Sequence, residues 1–184
     1  MGTASKRVFI GIPAGEELRE QVLAFHKQHA RLPVRWIQPQ NLHLTVVPPW
    51  LCDKLELVCS ALGDVAALFA STDVQFTSVS AGPDAAEPHL IWATGNTTQF
   101  FSTLRHELYS RISLQKSDER PFFLHLTIAR VRRDEQQTII RMKFRVSLVW
   151  NACLRGLSLY ESVLKPTGAE YRVLCEAPFN HEKQ

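Results

Sequence analysis

The 184 residues predict an α+β fold, bilobal and duplicated about a pseudo-twofold axis, with two mostly antiparallel sheets facing a central cleft and helices on the outside. Three observations carry this. Strand-length apolar segments run through the whole chain. Only three stretches show helical periodicity. One five-residue pattern, Leu-His-Leu-Thr-aliphatic, occurs twice, at Leu42 to Val46 and at Leu124 to Ile128.

Taken in order, strands are expected at about 6–12, 34–38, 42–47, 73–80, 89–95, 122–129, 144–151, 154–163 and 170–176. Residues 14–30 are expected to be helical because Leu18, Val22 and Phe25 share one side. Residues 53–70 align Leu55, Val58, Leu62, Val65 and Phe69, and residues 97–115 align Phe101, Leu104, Leu108 and Ile112. Asp53 and Thr97 or Thr98 suit the N-caps of the second and third helices. Ser80 to Pro88 and Ser117 to Pro121 read as loops, too short to link independent domains, so residues 1–184 are expected to form one bilobal domain.

The repeated pattern is the most specific feature. Requiring Leu on both sides of the His in a His-x-Thr pair leaves about 0.01 chance matches in such a chain, so two copies are not accidental. Successive side chains of a strand point to opposite faces, so His43 and Thr45 share one face, and Leu42, Leu44 and Val46 the other. His125 and Thr127 stand in the same relation to Leu124, Leu126 and Ile128. Each copy is half a site. Two imidazoles and two hydroxyls brought together would bracket one tetrahedral anion such as a phosphate diester.

Displacement at phosphorus requires a base for the attacking oxygen and an acid for the leaving one, and histidine titrates near neutrality. Threonine hydroxyls would donate to the non-bridging oxygens as charge develops. Neither motif has another His, Cys or carboxylate within two residues, so no metal and no cofactor is expected.

These motifs resemble those of the two-histidine phosphoesterase superfamily and, within it, bacterial RNA 2′,3′-cyclic phosphodiesterases, also called 2′-5′ RNA ligase-like proteins. The resemblance extends to Arg7 to Ile12 as the opening strand, Trp36 to Thr45 as the approach to the first motif, and Pro121 to Arg130 as the second motif with its trailing Ala-Arg. Leu159 to Ser162 and Gly168 to Tyr171 resemble the closing hairpin. The sequence departs from the family at Leu124, where Pro is common, and at Val47-Pro48-Pro49-Trp50, where a Phe-Leu-Gly turn is common.

The resemblance implies metal-independent opening of terminal RNA 2′,3′-cyclic phosphates to 2′-phosphomonoesters, and, in reverse, 2′-5′ joining to a 5′-hydroxyl. It implies that His43 is the proton donor and His125 the proton acceptor, that Thr45 and Thr127 hold the phosphate, and that Arg130 contacts it. Trp50 offers either a stacking face or a core plug, and Trp36, Trp92, Phe9 and Tyr160 read as core aromatics sooner than as base platforms, with one of them near the cleft expected if RNA ends or nucleotides are the partners. Two other readings share the pocket: a phosphodiesterase of small cyclic nucleotides or 2′-5′ oligonucleotides, and a non-catalytic nucleotide- or RNA-end-binding module. The acid and base pair argues against the module.

Composition bounds the rest. Net charge is +3 with a pI of about 8.8, well short of a polybasic binder. Arg141, Lys143 and Arg145 read as a solvated face, and His26, His29, His106 and His181 as surface groups. No apolar run reaches spanning length and no signal-peptide stretch is visible, so a cytoplasmic monomer without membrane contact is expected. Cys52, Cys59, Cys153 and Cys175 show no Cys-x-x-Cys spacing and are expected to be reduced.

Overall fold

A computed structural model describes residues 5–112, 120–165 and 168–180. Among them the chain runs β1 (Lys6–Pro13), α1 (Glu16–Gln28), β2 (Val34–Trp36), β3 (His43–Cys52), α2 (Leu55–Ala66), β4 (Thr72–Gly82), β5 (Leu90–Gly95), α3 (Gln99–Ile112), β6 (His125–Val131), α4 (Gln136–Met142), β7 (Arg145–Leu154), β8 (Gly156–Lys165) and β9 (Gly168–Pro178). The strands form two sheets in the orders β3-β1-β8-β9 and β2-β6-β5-β4-β7, and every neighbouring pair is antiparallel. This is the predicted α+β architecture.

The helical faces expected from periodicity are the faces that are buried: Leu18, Val22 and Phe25 of α1, Val58, Leu62 and Val65 of α2, and Phe101, Leu104 and Leu108 of α3. Helices α2 and α3 pack on each other, α2 also against β8 and β9 and α3 against β3, while α1 packs against β7. Buried side chains from both sheets join in one apolar cluster. The strands leave their other faces for the cleft.

Several local expectations are corrected. Helix α2 starts at Leu55 with Lys54 at its N-cap, so Asp53 does not cap it. The Thr97 hydroxyl accepts from the Leu124 amide at 2.9 Å, which leaves Thr98, the residue before Gln99, at the N-cap position of α3, and residues 113–115 of the expected third helix lie outside the described residues. Helix α4 has no counterpart among the expected elements, because its seven residues are too short to show periodicity. It ends at Lys143, whose φ of 48° is left-handed, and Arg141, Lys143 and Arg145 are exposed around that end as anticipated. Strand β3 continues through Pro48 and Pro49 to Cys52, which an edge strand with bulges tolerates because some amides there make no ladder bond.

Two of the four thiols also differ from expectation. Cys59 of α2 and Cys175 of β9 form a disulfide, while Cys52 and Cys153 stay as thiols outside any disulfide. The partners are 116 residues apart in sequence, and only the packing of α2 on β9 brings them together. Spacing motifs carry no trace of such a pair.

Alkylation of the unfolded, unreduced protein is expected to label two of the four cysteines, with mass spectrometry recovering a Cys59–Cys175 peptide pair. The Cys59→Ser, Cys175→Ser double variant should lose about 2–4 kcal/mol of stability, because the link restrains a long loop of the unfolded chain. Four labelled thiols would refute the pairing.

Candidate active site

The two His-x-Thr copies meet across the sheets. Strand β3 contacts β6 although they belong to different sheets, and a cleft of about 460 Å³ opens there, lined by His43, Thr45, His125 and Thr127 among others. All four side chains are half-buried, whereas Leu44, Val46, Leu126 and Ile128 are buried on the opposite face. Period-two alternation therefore holds through both motifs.

Each imidazole is fixed in the same way. His43 Nδ1 lies 2.7 Å from the Asn41 carbonyl oxygen, and His125 Nδ1 lies 2.9 Å from that of Phe123. A carbonyl only accepts, so Nδ1 must carry the proton in both rings, which leaves Nε2 for the cleft. Either ring can then accept a proton at Nε2, or donate one once charged. The local backbone differs: Pro39–Asn41 is a single 3-10 turn leading into β3, while the Thr97 hydroxyl holds the Leu124 amide in front of β6.

The surroundings of the two rings are unequal. Phe9, Tyr160 and Tyr171 wall His43, with ring centroids 4.7, 5.4 and 5.2 Å away. The His43 pKa is lowered from 6.5 to about 4, chiefly by burial among these rings and in part by the charges of His125 and Arg130, against the Asn41 bond, which raises it. His43 is thus neutral in the free protein at pH 7. His125 is flanked instead by Trp92, 5.2 Å away, and by Phe123, which is 50% exposed.

The remaining predicted residues divide. Arg130 lines the cleft because β6 carries a bulge: Trp92 faces Thr127 and Ile91 faces Ala129, so Ile128 is skipped and the faces exchange. A matching bulge skips Val46 in β3, where Gly11 faces Thr45 and Ile10 faces Val47. Phe9 lines the cleft but is only 2% exposed, so it is floor beneath His43 and offers no open face. Tyr160 is 4% exposed and stacks beneath Phe9 at 4.8 Å, where burial raises its pKa. Trp50 packs against the core and is not among the cleft-lining residues. Tyr160 and Trp50 thus take the core placement that the sequence also allowed.

Sequence reasoning missed Arg7, Arg35, Tyr171 and Phe123. Arg7 and Arg35 line the cleft from β1 and β2, and Arg7 donates to the Ser162 hydroxyl at 3.0 Å. Period two along β1 puts Arg7 on the face of Phe9, a signal that was legible; Tyr171 required knowing that β9 pairs with β8. His89 lies elsewhere, bonded to Gln136 at 2.9 Å. His26 and His29 are half-buried against Trp36 and Phe25 and are not free surface groups. His181 lies outside the described residues. Among those described, no cluster of three or more His, Cys, Asp or Glu could hold a metal ion, and no helix is long and apolar enough to cross a membrane.

Gly11 sets the depth of His43. A Cβ there would meet the Leu44 carbonyl oxygen at 2.9 Å and His43 Cδ2 at 3.2 Å. Gly11→Ala should shift the His43 imidazole resonances and lower stability by about 1–3 kcal/mol; unchanged resonances would show the ring free of this constraint. Acid should also act through His43. Its folded pKa lies below its unfolded value, so the unfolded state binds more protons between pH 6.5 and about 4, and stability falls as pH drops through that window. Relative to His43→Gln, the wild type should lose up to about 3 kcal/mol more between pH 7 and pH 4 in denaturant titrations.

Comparison with known proteins gives the family and the fold. The family model of the 2′-5′ RNA ligase superfamily matches residues 14–163. Proteins named RNA 2′,3′-cyclic phosphodiesterase are similar: one from Methanocaldococcus jannaschii at 23% identity, covering 92% of this chain and 99% of that protein, and one from Thermotoga maritima at 26%, covering 94% and 95%. A third, from Geobacillus stearothermophilus, is 29% identical over 66% of this chain, which spans only 41% of that protein's length. Among solved structures, TT0787 of Thermus thermophilus superposes with a TM-score of 0.75 at 20% identity, covering 96% of this chain and 99% of that one. Apo LigT of E. coli gives 0.66 at 20%, covering 97% and 99%, and LigT has also been solved with 3′-AMP and with phosphate. The chain belongs to the 2′-5′ RNA ligase superfamily.

Proposed function

We propose that the protein opens 2′,3′-cyclic phosphates at RNA ends to 2′-phosphomonoesters without a metal, with reverse 2′-5′ joining available to the same groups. The observation that carries this reading is the pair of carbonyl-anchored imidazoles, each with Nε2 left for one cleft and a threonine beside it. The names of the relatives and the binding of 3′-AMP by LigT support the substrate class.

In the proposed reaction His125 takes a proton from water through Nε2 as the oxygen attacks phosphorus. His43 gives its Nε2 proton to the departing 3′ oxygen, and the 2′ bond is retained. Thr45 and Thr127 donate to the non-bridging oxygens. His43 is neutral in the free cleft, so under this assignment it acquires its proton as the phosphodiester anion binds beside it and favours the charged ring. The same lowered pKa favours a second assignment, with His43 as base and His125 as acid. A leaving group that needs no proton separates them: a cyclic phosphate with sulfur at the 3′ bridge should rescue the Ala variant of whichever histidine is the acid. The exposed Phe123 beside His125 is the aromatic surface best placed for a base.

Turnover of a short RNA with a cyclic end in excess EDTA should give a 2′-phosphate, read by phosphorus NMR. His43→Ala and His125→Ala should each lose several orders of magnitude, and the double variant little more, since the pair acts as a unit. Thr45→Ala or Thr127→Ala should lose on the order of 10²-fold. A small, additive loss from the two histidine variants would contradict the proposed chemistry.

A further inference from the structure

Tyr160 is a buried titratable group to which the proposed reaction gives no role. Its ladder partner Phe9 stacks on it and fills the same kind of space with no polar atom. Burying a hydroxyl costs free energy unless a hydrogen bond replaces the lost water, so a phenol here needs a partner. Ser158, two residues back on the same face of β8 and itself buried, supplies one. The Ser158 hydroxyl in turn donates to the carboxylate of its ladder partner Glu176 on β9, at 3.4 Å. A carboxylate only accepts, so the Ser158 proton is committed to Glu176 and the phenol is the donor to Ser158. Tyr160, Ser158 and Glu176 thus form one directed chain that ends at an exposed carboxylate, and the charge of Arg19 on α1 also acts on the phenol.

The ring that this chain holds lies against His43. Gly11 pairs with Ser158, and a Cβ on it would meet Tyr160 Cε2 at 3.4 Å and His43 Cδ2 at 3.2 Å, so the two rings meet over a residue with no side chain. Phe9 and Tyr160 lie within 12° of parallel and tilt by 36° and 35° to the His43 ring. The Asn41 carbonyl fixes one atom of that ring, Nδ1, and keeps it from flipping, but one hydrogen bond leaves the tilt about it open. The stack closes that freedom. We propose that Tyr160 is a positioning residue for the proposed reaction: its hydroxyl, tethered through Ser158 to Glu176, locks the aromatic stack that aims His43 Nε2 into the cleft. The inference rests on the proposed function for what Nε2 does there. The tether and the stack do not depend on it.

Tyr160→Phe tests this by keeping the ring and removing only the hydroxyl. The first readout needs no substrate. In the free protein the His43 imidazole resonances should shift and broaden, and its pKa should climb from about 4 toward 6.5 as water reaches the ring, with the His125 resonances unchanged. The other titratable and charged groups facing His43, which are His125 and Arg130 from β6 and Tyr171 from β9, are all intact in this variant. In turnover of a cyclic RNA end, kcat should fall about tenfold with KM within about twofold, because aim is felt in the transition state. Ser158→Ala should do the same and the double variant no more, since both cut one chain. Glu176→Ala, at an exposed position where folding is not at stake, should change both readouts in the same direction. A plain core plug predicts wild-type His43 resonances and wild-type kcat in Tyr160→Phe, and that result would overturn the proposal. So would equal shifts at His43 and His125, which mark a general loosening, or a displaced His43 with kcat unchanged. Displaced His43 resonances in a protein whose wild type opens no cyclic end would retain the tether and reject the proposed reaction.

Discussion

Everything at this site depends on two short hydrogen bonds, from the Nδ1 of His43 and of His125 to the carbonyl two residues upstream. They select the tautomer, stop ring rotation and leave Nε2 for the cleft. A histidine able to flip or to exchange tautomers would present donor and acceptor at random, and paired proton transfer would fail. Because each accepting carbonyl belongs to the approach to the histidine's own strand, the orientation of the ring is set by local backbone and requires no partner from the other sheet. The anchoring is complete within each lobe.

The duplicated lobes then need only be brought together. Each motif is followed by a bulge, at Val46 and at Ile128, and each bulge reverses which face the following residues present. In β6 this turns Arg130 toward the cleft while Leu126 and Ile128 stay buried. In β3 a second register shift follows, between the Ile10–Val47 and Val8–Trp50 pairs, and Pro49 lies at the cleft with Trp50 in the core packing. The symmetry ends at the rings around the histidines. Three aromatic side chains desolvate His43 and lower its pKa, whereas His125 lies beside the exposed Phe123, so two copies of one motif sit in different surroundings.

How much of this was legible in the sequence follows from the range of each interaction. His43, Thr45, His125 and Thr127 could be placed because alternation along a strand is local, and the burial of Leu44 and Leu126 agrees with it. The three long helices were legible for the same reason at a different period. Arg130 could not be given a face, since the bulge that orients it depends on pairing with Ile91 and Trp92. The facing of Arg35 and Arg130, the wall formed by Tyr171 and the Cys59–Cys175 bond all join segments that only the sheet order and helix packing bring together. For Tyr160 and Trp50 the sequence left core and cleft open, because aromatic character does not tell a core plug from an open platform.

The most direct test of this anchoring is the tautomeric state of the two site histidines, read from the nitrogen chemical shifts of the imidazole rings in the labelled protein at pH 7.5. Carbonyl anchoring predicts Nδ1–H with an unprotonated Nε2 for the neutral form of both rings. In His43→Gln and His125→Gln controls, one signal set should disappear at a time. Nε2–H tautomers, or averaged shifts showing rapid tautomer exchange in either ring, would contradict the anchoring on which the proposed chemistry stands.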